Sequence, residues 1–188
     1  DAVKRALDEM AMLKLNKFHW HLSDDQGYRI ESEVFPLLNE ISSKRKYEYL
    51  GADIPLSKIP ELKMGGEEYF HYYKKSEISE IVEYAKNLCI DIIPEIDLPG
   101  HTVAMLAAYP ELSCLKGSYE VYCKNGITKD VLCAGQEETY VFVEKLLKEV
   151  CELFPYKYFH VGGDEAAKGH KRWEKDCPVC KAKMAELG

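Results

Sequence analysis

Three short segments of this chain alternate apolar with ionisable residues, and each breaks into a polar turn at its C-terminal end; no other feature narrows the possible folds as much. In residues 16–22, Phe18, Trp20 and Leu22 share one face of an extended strand while His19 and His21 take the other. In residues 90–97, Ile90, Ile92, Pro94 and Ile96 oppose Asp91, Glu95 and Asp97. Residues 158–166 begin with aromatic and small apolar side chains and end in Gly162, Gly163, Asp164 and Glu165, with His160 and Asp164 on one alternation. Each segment therefore has one apolar face and one face that carries titratable groups.

Stretches of helical period separate these strands. The first covers residues 1–14, with Val3, Ala6, Leu7, Met10, Ala11 and Leu13 recurring on one side. A second, over 77–88, has Ile78, Ile81, Val82, Ala85 and Leu88 in a stripe, and Ser76 is the expected N-cap. A third, over 137–153, places Val141, Val143, Leu146, Leu147, Val150 and Leu153 inward, and a last helix over 172–187 is interrupted or begun near Pro178. Helix and strand in alternation predict an α/β fold with a parallel sheet and right-handed crossovers. Strands covered by helices on both sides would be apolar on both faces, which these are not. A closed barrel accounts for the pattern: one face meets the helices, the other lines a lumen, and chemistry collects at the strand C-termini. Three strands are fewer than the eight such a barrel needs, so the expectation is a portion of a (β/α)8 barrel with long loops over 31–75 and 102–135.

Composition excludes several classes. Hydrophobic residues make up 46% of the 188, enough for one core, and no apolar run approaches a membrane span. A net charge of −7 leaves no broad basic surface, so nucleic acid is not an expected partner. The Lys44 to Lys46 cluster and the Glu67–Glu68 pair read as solvated surface. The chain opens at Asp1 with neither an initiator Met nor a signal-like run, as expected of a processed or excised chain. Among the seven cysteines, Cys177-Pro178-Val179-Cys180 is a lone CxxC without a second pair at zinc-ribbon spacing, and a structural or incidental role is favoured over zinc or redox chemistry. Cys114 and Cys133 bracket a loop and can pair in an oxidising compartment, whereas Cys89 and Cys151 are expected to be buried thiols.

Asp164 and Glu165 can share a pocket only if the backbone turns, which Gly162 and Gly163 permit. The plain alternative is a strand passing through a Gly-Gly turn into an acidic helix N-terminus. A second rival is a metal-dependent hydrolase, with His19 and His21 on one strand face and His101, His160 and Asp164 completing the ligand set. A third is a noncatalytic carbohydrate-binding or scaffold protein of barrel ancestry.

Three motifs in succession, His19-Trp20-His21-Leu22-Ser23-Asp24-Asp25-Gln26-Gly27-Tyr28-Arg29, Glu95-Ile96-Asp97-Leu98-Pro99-Gly100-His101 and His160-Val161-Gly162-Gly163-Asp164-Glu165, resemble the signatures of glycoside hydrolase family 20, the β-N-acetylhexosaminidases. The resemblance runs over essentially the whole chain. It implies barrel strands 2 to 4, without the first strand or the later ones, in a catalytic domain of which residues 1–188 are an incomplete part. It implies removal of terminal N-acetylhexosamine from β-linked glycans by substrate-assisted retaining catalysis, family 20 being an exception to the usual two-carboxylate geometry. Glu165 would be the general acid and then base, and Asp164 would orient the 2-acetamido group and steady the oxazolinium ion. His101 and Asp24 would form a relay behind Glu165, Asp97 with His160 would support the pocket, His21 belongs to the supporting set, and Asp25 is not separable from Asp24. An acid of this kind must keep its proton near neutral pH, which calls for burial or a neighbouring carboxylate around Glu165. No metal or cofactor is implied, and an extracytoplasmic address is favoured. The family's first-strand arginine and later-strand aromatic walls have no counterpart here: Trp20 is expected to face the helices and Trp173 to lie on the last helix. The isolated chain is therefore expected to have little or no hydrolase activity and to self-associate through open barrel edges.

Overall fold

A computed structural model describes residues 2–45, 69–123, 128–166 and 172–188. Asp1, Lys46, Glu67 and Glu68, named above, lie outside them. The elements in chain order are α1 (Ala2–Met12), β1 (Lys17–His21), a hairpin of β2 (Ser23–Asp24) and β3 (Gly27–Tyr28), a single turn at Leu38–Ser42, and β4 (Lys44–Arg45) paired with β5 (Tyr69–Phe70). There follow α2 (Lys75–Asn87), β6 (Asp91–Glu95), α3 (Val103–Ala108), α4 (Glu137–Cys151), a turn at Arg172–Asp176 and α5 (Pro178–Leu187). The arrangement is α/β with a partial parallel sheet.

The sheet is built on β6. Its register with β1 sets Phe18 opposite Ile92, Trp20 opposite Pro94 and His21 opposite Glu95, in parallel. The third segment joins the other edge of β6 at one residue only, where Glu95 bridges His160. His160 donates its N–H to the Pro94 carbonyl and accepts from Ile96 N–H. The next bond toward the N-terminus would need an N–H on residue 94, and proline has none. Toward the C-terminus, Leu98 N–H goes to Val161 instead of continuing the alternation, because Gly162 turns away at φ +66°. The third strand expected over 158–166 is thus a one-residue bridge among the described residues, cut short on both sides for identifiable reasons.

The core lies between the apolar strand faces and the helices. Trp20 is buried and meets Tyr73 edge-on at 4.9 Å and Phe154 at 6.3 Å, so it faces the helix layer. Leu7, Ile78, Ile81, Ala85, Ile92, Ile96, Leu146 and Val150 share that core. In α4 the buried stripe is Phe142, Leu146 and Val150, with Thr139 and Glu149; Val141, expected inside, is 43% exposed. Glu149 is a buried carboxylate at the centre of a clamp. It accepts from the Ser32 hydroxyl and from the backbone N–H groups of Glu33 and Val34, and pairs with Lys75 Nζ at 3.1 Å. It thereby fixes the start of the long 31–75 connection to α2 and α4.

Several expectations are corrected. Ser76 lies inside α2, whose N-cap is Lys74, and Glu77 accepts from the Lys74 N–H at 2.8 Å. The connection 102–135 contains α3, five of whose six residues are buried. A helix buried on nearly every side has no polar face and so no amphipathic period to read. Cys89 and Cys151 are exposed, since each sits at or just past a helix end and not in the apolar stripe. Trp173 belongs to the turn before α5, where its indole N–H donates to the Leu132 carbonyl at 3.0 Å.

Leu146→Ala should cost about 2–5 kcal/mol of stability, and Val141→Ala about 0.5 kcal/mol or less, in urea unfolding of the chain. Equal losses from the two would mean that α4 is rotated relative to the core.

Candidate active site

Three turns converge at the C-terminal ends of the strands: the β2–β3 hairpin, Leu98 to His101, and Gly162 to Glu165. Gly100 allows the last two to touch, because a Cβ there would fall 2.9 Å from the Asp164 carbonyl oxygen. Gly162 is equally constrained. Its φ is +66°, and a Cβ would fall 1.8 Å from Asp97 Oδ1. Asp97, 1% exposed, accepts from Gly163 N–H at 3.0 Å and donates its own N–H to Ser23 Oγ at 3.1 Å. The Asp97 carboxylate thus holds the Gly-Gly turn, and its backbone N–H ties the same residue to the hairpin.

A chain of polar contacts starts at Glu165. Its Oε2 lies 3.2 Å from His101 Nε2; His101 Nδ1 lies 3.0 Å from Asp24 Oδ1; Asp24 Oδ2 lies 3.2 Å from His21 Nε2. His21 Nδ1 then lies 3.0 Å from Glu95 Oε2. His101 and Glu165 both adopt left-handed backbone, at φ +52° and +56°, a region that non-glycine residues enter at a cost and that clusters at functional sites. Glu165 has a half-exposed side chain (48%), so the burial called for around an acid is not supplied by the described residues. The crevice beside it is lined by Gly100, His101, Thr128, Val131, Asp164, Glu165 and Ala166, with no Phe, Tyr or Trp among the described lining residues.

The structure separates Asp24 from Asp25. Asp24 is the His101 partner, whereas Asp25 Oδ2 stands 3.9 Å from His101 Nδ1, beyond hydrogen-bond reach. Asp25 instead is buried and accepts from the N–H groups of Val103, at 3.0 Å, and Thr128, at 3.1 Å, anchoring the start of α3. Burial pushes the Asp25 carboxyl upward, more than those backbone bonds lower it. Burial likewise raises Asp97, against the Gly163 hydrogen bond.

Glu95 is the residue that motif reading passed over as a site member. It is 5% exposed, and three imidazoles surround it: His19 Nε2 at 2.6 Å and His21 Nδ1 at 3.0 Å on one oxygen, His160 Nδ1 at 3.2 Å on the other. His160 Nδ1 is also 3.0 Å from Gly162 N–H, so that nitrogen either accepts from the turn or donates to Glu95. The ionisable alternation along β6 was the available signal. The donors of the metal-hydrolase rival are divided: His19 and His160 group with Glu95, while His101 groups with Asp24 and Asp25.

The charges reinforce one another. The hydrogen bond to Asp24 is the main cause that holds His21 up at about 9; desolvation opposes it, and Glu95 adds to it. Burial works against ionising Asp24 and Glu95, yet both are held below the ordinary carboxylate range, Asp24 by His21, the Asp25 N–H and His101, Glu95 by His21, His160 and His19. His101 is raised: burial opposes its charge, but Asp24 and Asp25 outweigh it.

With this geometry in view, the likeness to known proteins is specific. The sequence profile described as glycosyl hydrolase family 20, catalytic domain, matches residues 1–188, and the chain belongs to that family. A β-hexosaminidase of Porphyromonas gingivalis is 39% identical over 186 residues, covering 99% of this chain and 22% of that protein. A solved β-N-acetylhexosaminidase superposes with a TM-score of 0.85 at 33% identity, covering 98% of this chain and 36% of that one. The family 20 exo-β-N-acetylglucosaminidase of Vibrio harveyi, solved with N-acetylglucosamine, gives a TM-score of 0.76 at 33% identity over 99% of this chain and 28% of its own. The chain thus spans well under half the length of the relatives it matches. Among the described residues no helix is long and apolar enough to cross a membrane.

His21 gives a pH signature whose sign is fixed. Its folded pKa of about 9 exceeds the unfolded value near 6.5, so its stabilisation is full below about 6.5 and is lost as pH rises toward 9. Thermal unfolding of His21→Asn should show a flatter decline across that window than the parent chain; parallel curves would mean that His21 is not held as a cation.

Proposed function

We propose that the protein containing this chain is a β-N-acetylhexosaminidase that removes terminal N-acetylglucosamine or N-acetylgalactosamine from β-linked glycans, with the sugar's own acetamido group as nucleophile. The observation that carries this reading is the accessible Glu165 carboxyl, backed by His101 and Asp24 and next in sequence to Asp164, beside the strand C-termini. Family membership and the N-acetylglucosamine complex of the Vibrio harveyi relative support it.

Glu165 gives its proton to the glycosidic oxygen as the C1–O bond breaks, and the acetamido oxygen forms the new bond to C1. Asp164 accepts from the amide N–H and balances the positive charge of the resulting oxazolinium. The Glu165 carboxylate then takes a proton from water, which opens the ring at C1 with net retention. His101, whose proton affinity Asp24 and Asp25 raise against the opposing effect of burial, donates to Glu165 in its deprotonated phase. A pair of neighbours suits this better than a backside nucleophile. Consecutive residues, with Cα atoms about 3.8 Å apart, approach a substrate from one wall, whereas conventional acid and nucleophile carboxyls flank the bond from opposite sides.

In the same reading these βα units are strands 2 to 4 of a (β/α)8 barrel and form part of its catalytic domain; the enzyme works outside the cytoplasm, where such glycans are met. The isolated chain has little turnover, because its crevice leaves Glu165 half open, and it self-associates through exposed apolar residues such as Leu13 and Val161. Sedimentation of the isolated chain as a clean monomer at high concentration would count against that last point.

In the full-length protein, Glu165→Gln should lower kcat on a β-linked N-acetylglucosamine disaccharide by about 10²–10⁴-fold, with a smaller loss on an aryl glycoside whose leaving group needs no proton. Unchanged activity, or equal cleavage of a sugar without the 2-acetamido group, would overturn the assignment.

A further inference from the structure

Four cysteines dispersed along the sequence, Cys114, Cys133, Cys177 and Cys180, bring their sulfurs within 4.8 Å of one another. Three of the separations are 3.5 Å (Cys133 to Cys180), 3.6 Å (Cys133 to Cys177) and 3.9 Å (Cys114 to Cys180). Thiolates placed about 2.3 Å from a tetrahedral zinc ion are separated by about 3.8 Å along each edge. All four cysteines are unbridged, and Cys133, Cys177 and Cys180 are at most 2% exposed.

The surrounding backbone is shaped to this cluster. Cys177 stands just before α5, and the Cys180 N–H points at the Cys177 sulfur, 3.4 Å away. Gly135 lets the loop before α4 approach the CxxC turn: a Cβ there would fall 2.6 Å from Cys180 N and 2.7 Å from Cys180 Cα. The antiparallel bridge between Ser113 and Leu132 brings Cys114 and Cys133 to the same end of that loop. Trp173 closes the remaining side. Among the described residues of α5, Cys180 is the one that is buried, so the helix has almost no apolar face with which to dock.

We propose that Cys114, Cys133, Cys177 and Cys180 bind one zinc ion as four thiolates, in a closed structural site distinct from the Glu165 crevice. Each thiol forms a sulfur–zinc bond and releases its proton to solvent, with no change of oxidation state. Four protein ligands fill the tetrahedral shell and leave no position for water or substrate, and four soft sulfur donors suit zinc. The ion fastens residues 172–188 to the loops at 112–114 and 131–135. Leu132 N–H donates to the Pro99 carbonyl, so the same loop also backs the turn that carries His101. The zinc site thus holds the chain on both sides of the Asp164–Glu165 turn. The inference is independent of the glycosidase reading.

The test uses the full-length protein, produced with zinc and purified without chelator. Elemental analysis should find one zinc per chain more in the parent than in a Cys177→Ser/Cys180→Ser variant. Because that variant can misfold, the parent is also treated with an organomercurial in the presence of a zinc indicator. One equivalent of zinc should be released, and Cys114, Cys133, Cys177 and Cys180 should be alkylated only after stripping. Cobalt substitution should give the intense visible bands of a tetrahedral tetrathiolate. Recovery of the four cysteines as disulfide-linked peptides, their ready alkylation in untreated protein, or iron in place of zinc would each overturn the proposal.

Discussion

The buried carboxylate of Glu95 is the interaction on which the lumen side of this structure depends. It sits on β6 and reaches His19 and His21 on β1 on one side and His160 on the other, so a single anion cross-braces β1, β6 and the segment bridged at His160. An unpaired buried carboxylate would be costly, whereas one met by several imidazoles is stabilised in its charged form. The ordering of the next layer follows. With His21 cationic, Asp24 is held ionised, and Asp24 in turn orients His101 toward Glu165.

Above this layer the backbone does the positioning. Gly100 and Gly162 each occupy a place where a Cβ would collide with a neighbouring turn, and His101 and Glu165 both sit in left-handed conformations. Asp97 links these turns through one bond to Gly163 and one from its own N–H to Ser23. Local strain at the two residues in contact is sustained because the surrounding hydrogen bonds overdetermine it, the usual condition at a site that must hold a fixed geometry.

Much of this was legible in the chain as a string of residues. Period-two segments located β1 and β6, period 3.6 located α1, α2 and α4, and the clustering of His, Asp and Glu at strand C-termini indicated where the site assembles. What failed to show has common causes. The buried α3 has no polar face to create a period. Pro94 and Gly162 truncate the third strand to one bridge through missing or redirected hydrogen bonds, an effect that side-chain alternation does not register. Asp24 and Asp25 are identical in type and adjacent, and only the position of α3 decides that one serves His101 and the other anchors a helix start.

The sequence by itself determined the alternating α/β order, the acidic pair after two glycines and the supply of imidazoles, because these are properties of local periodicity and residue type. Tertiary structure alone decided that Glu95 is the hub of three histidines and that four cysteines spread over 67 positions meet in one cluster. Contacts of that kind are set by how loops return across the sheet ends. No short-range pattern encodes the distance between Cys114 and Cys180.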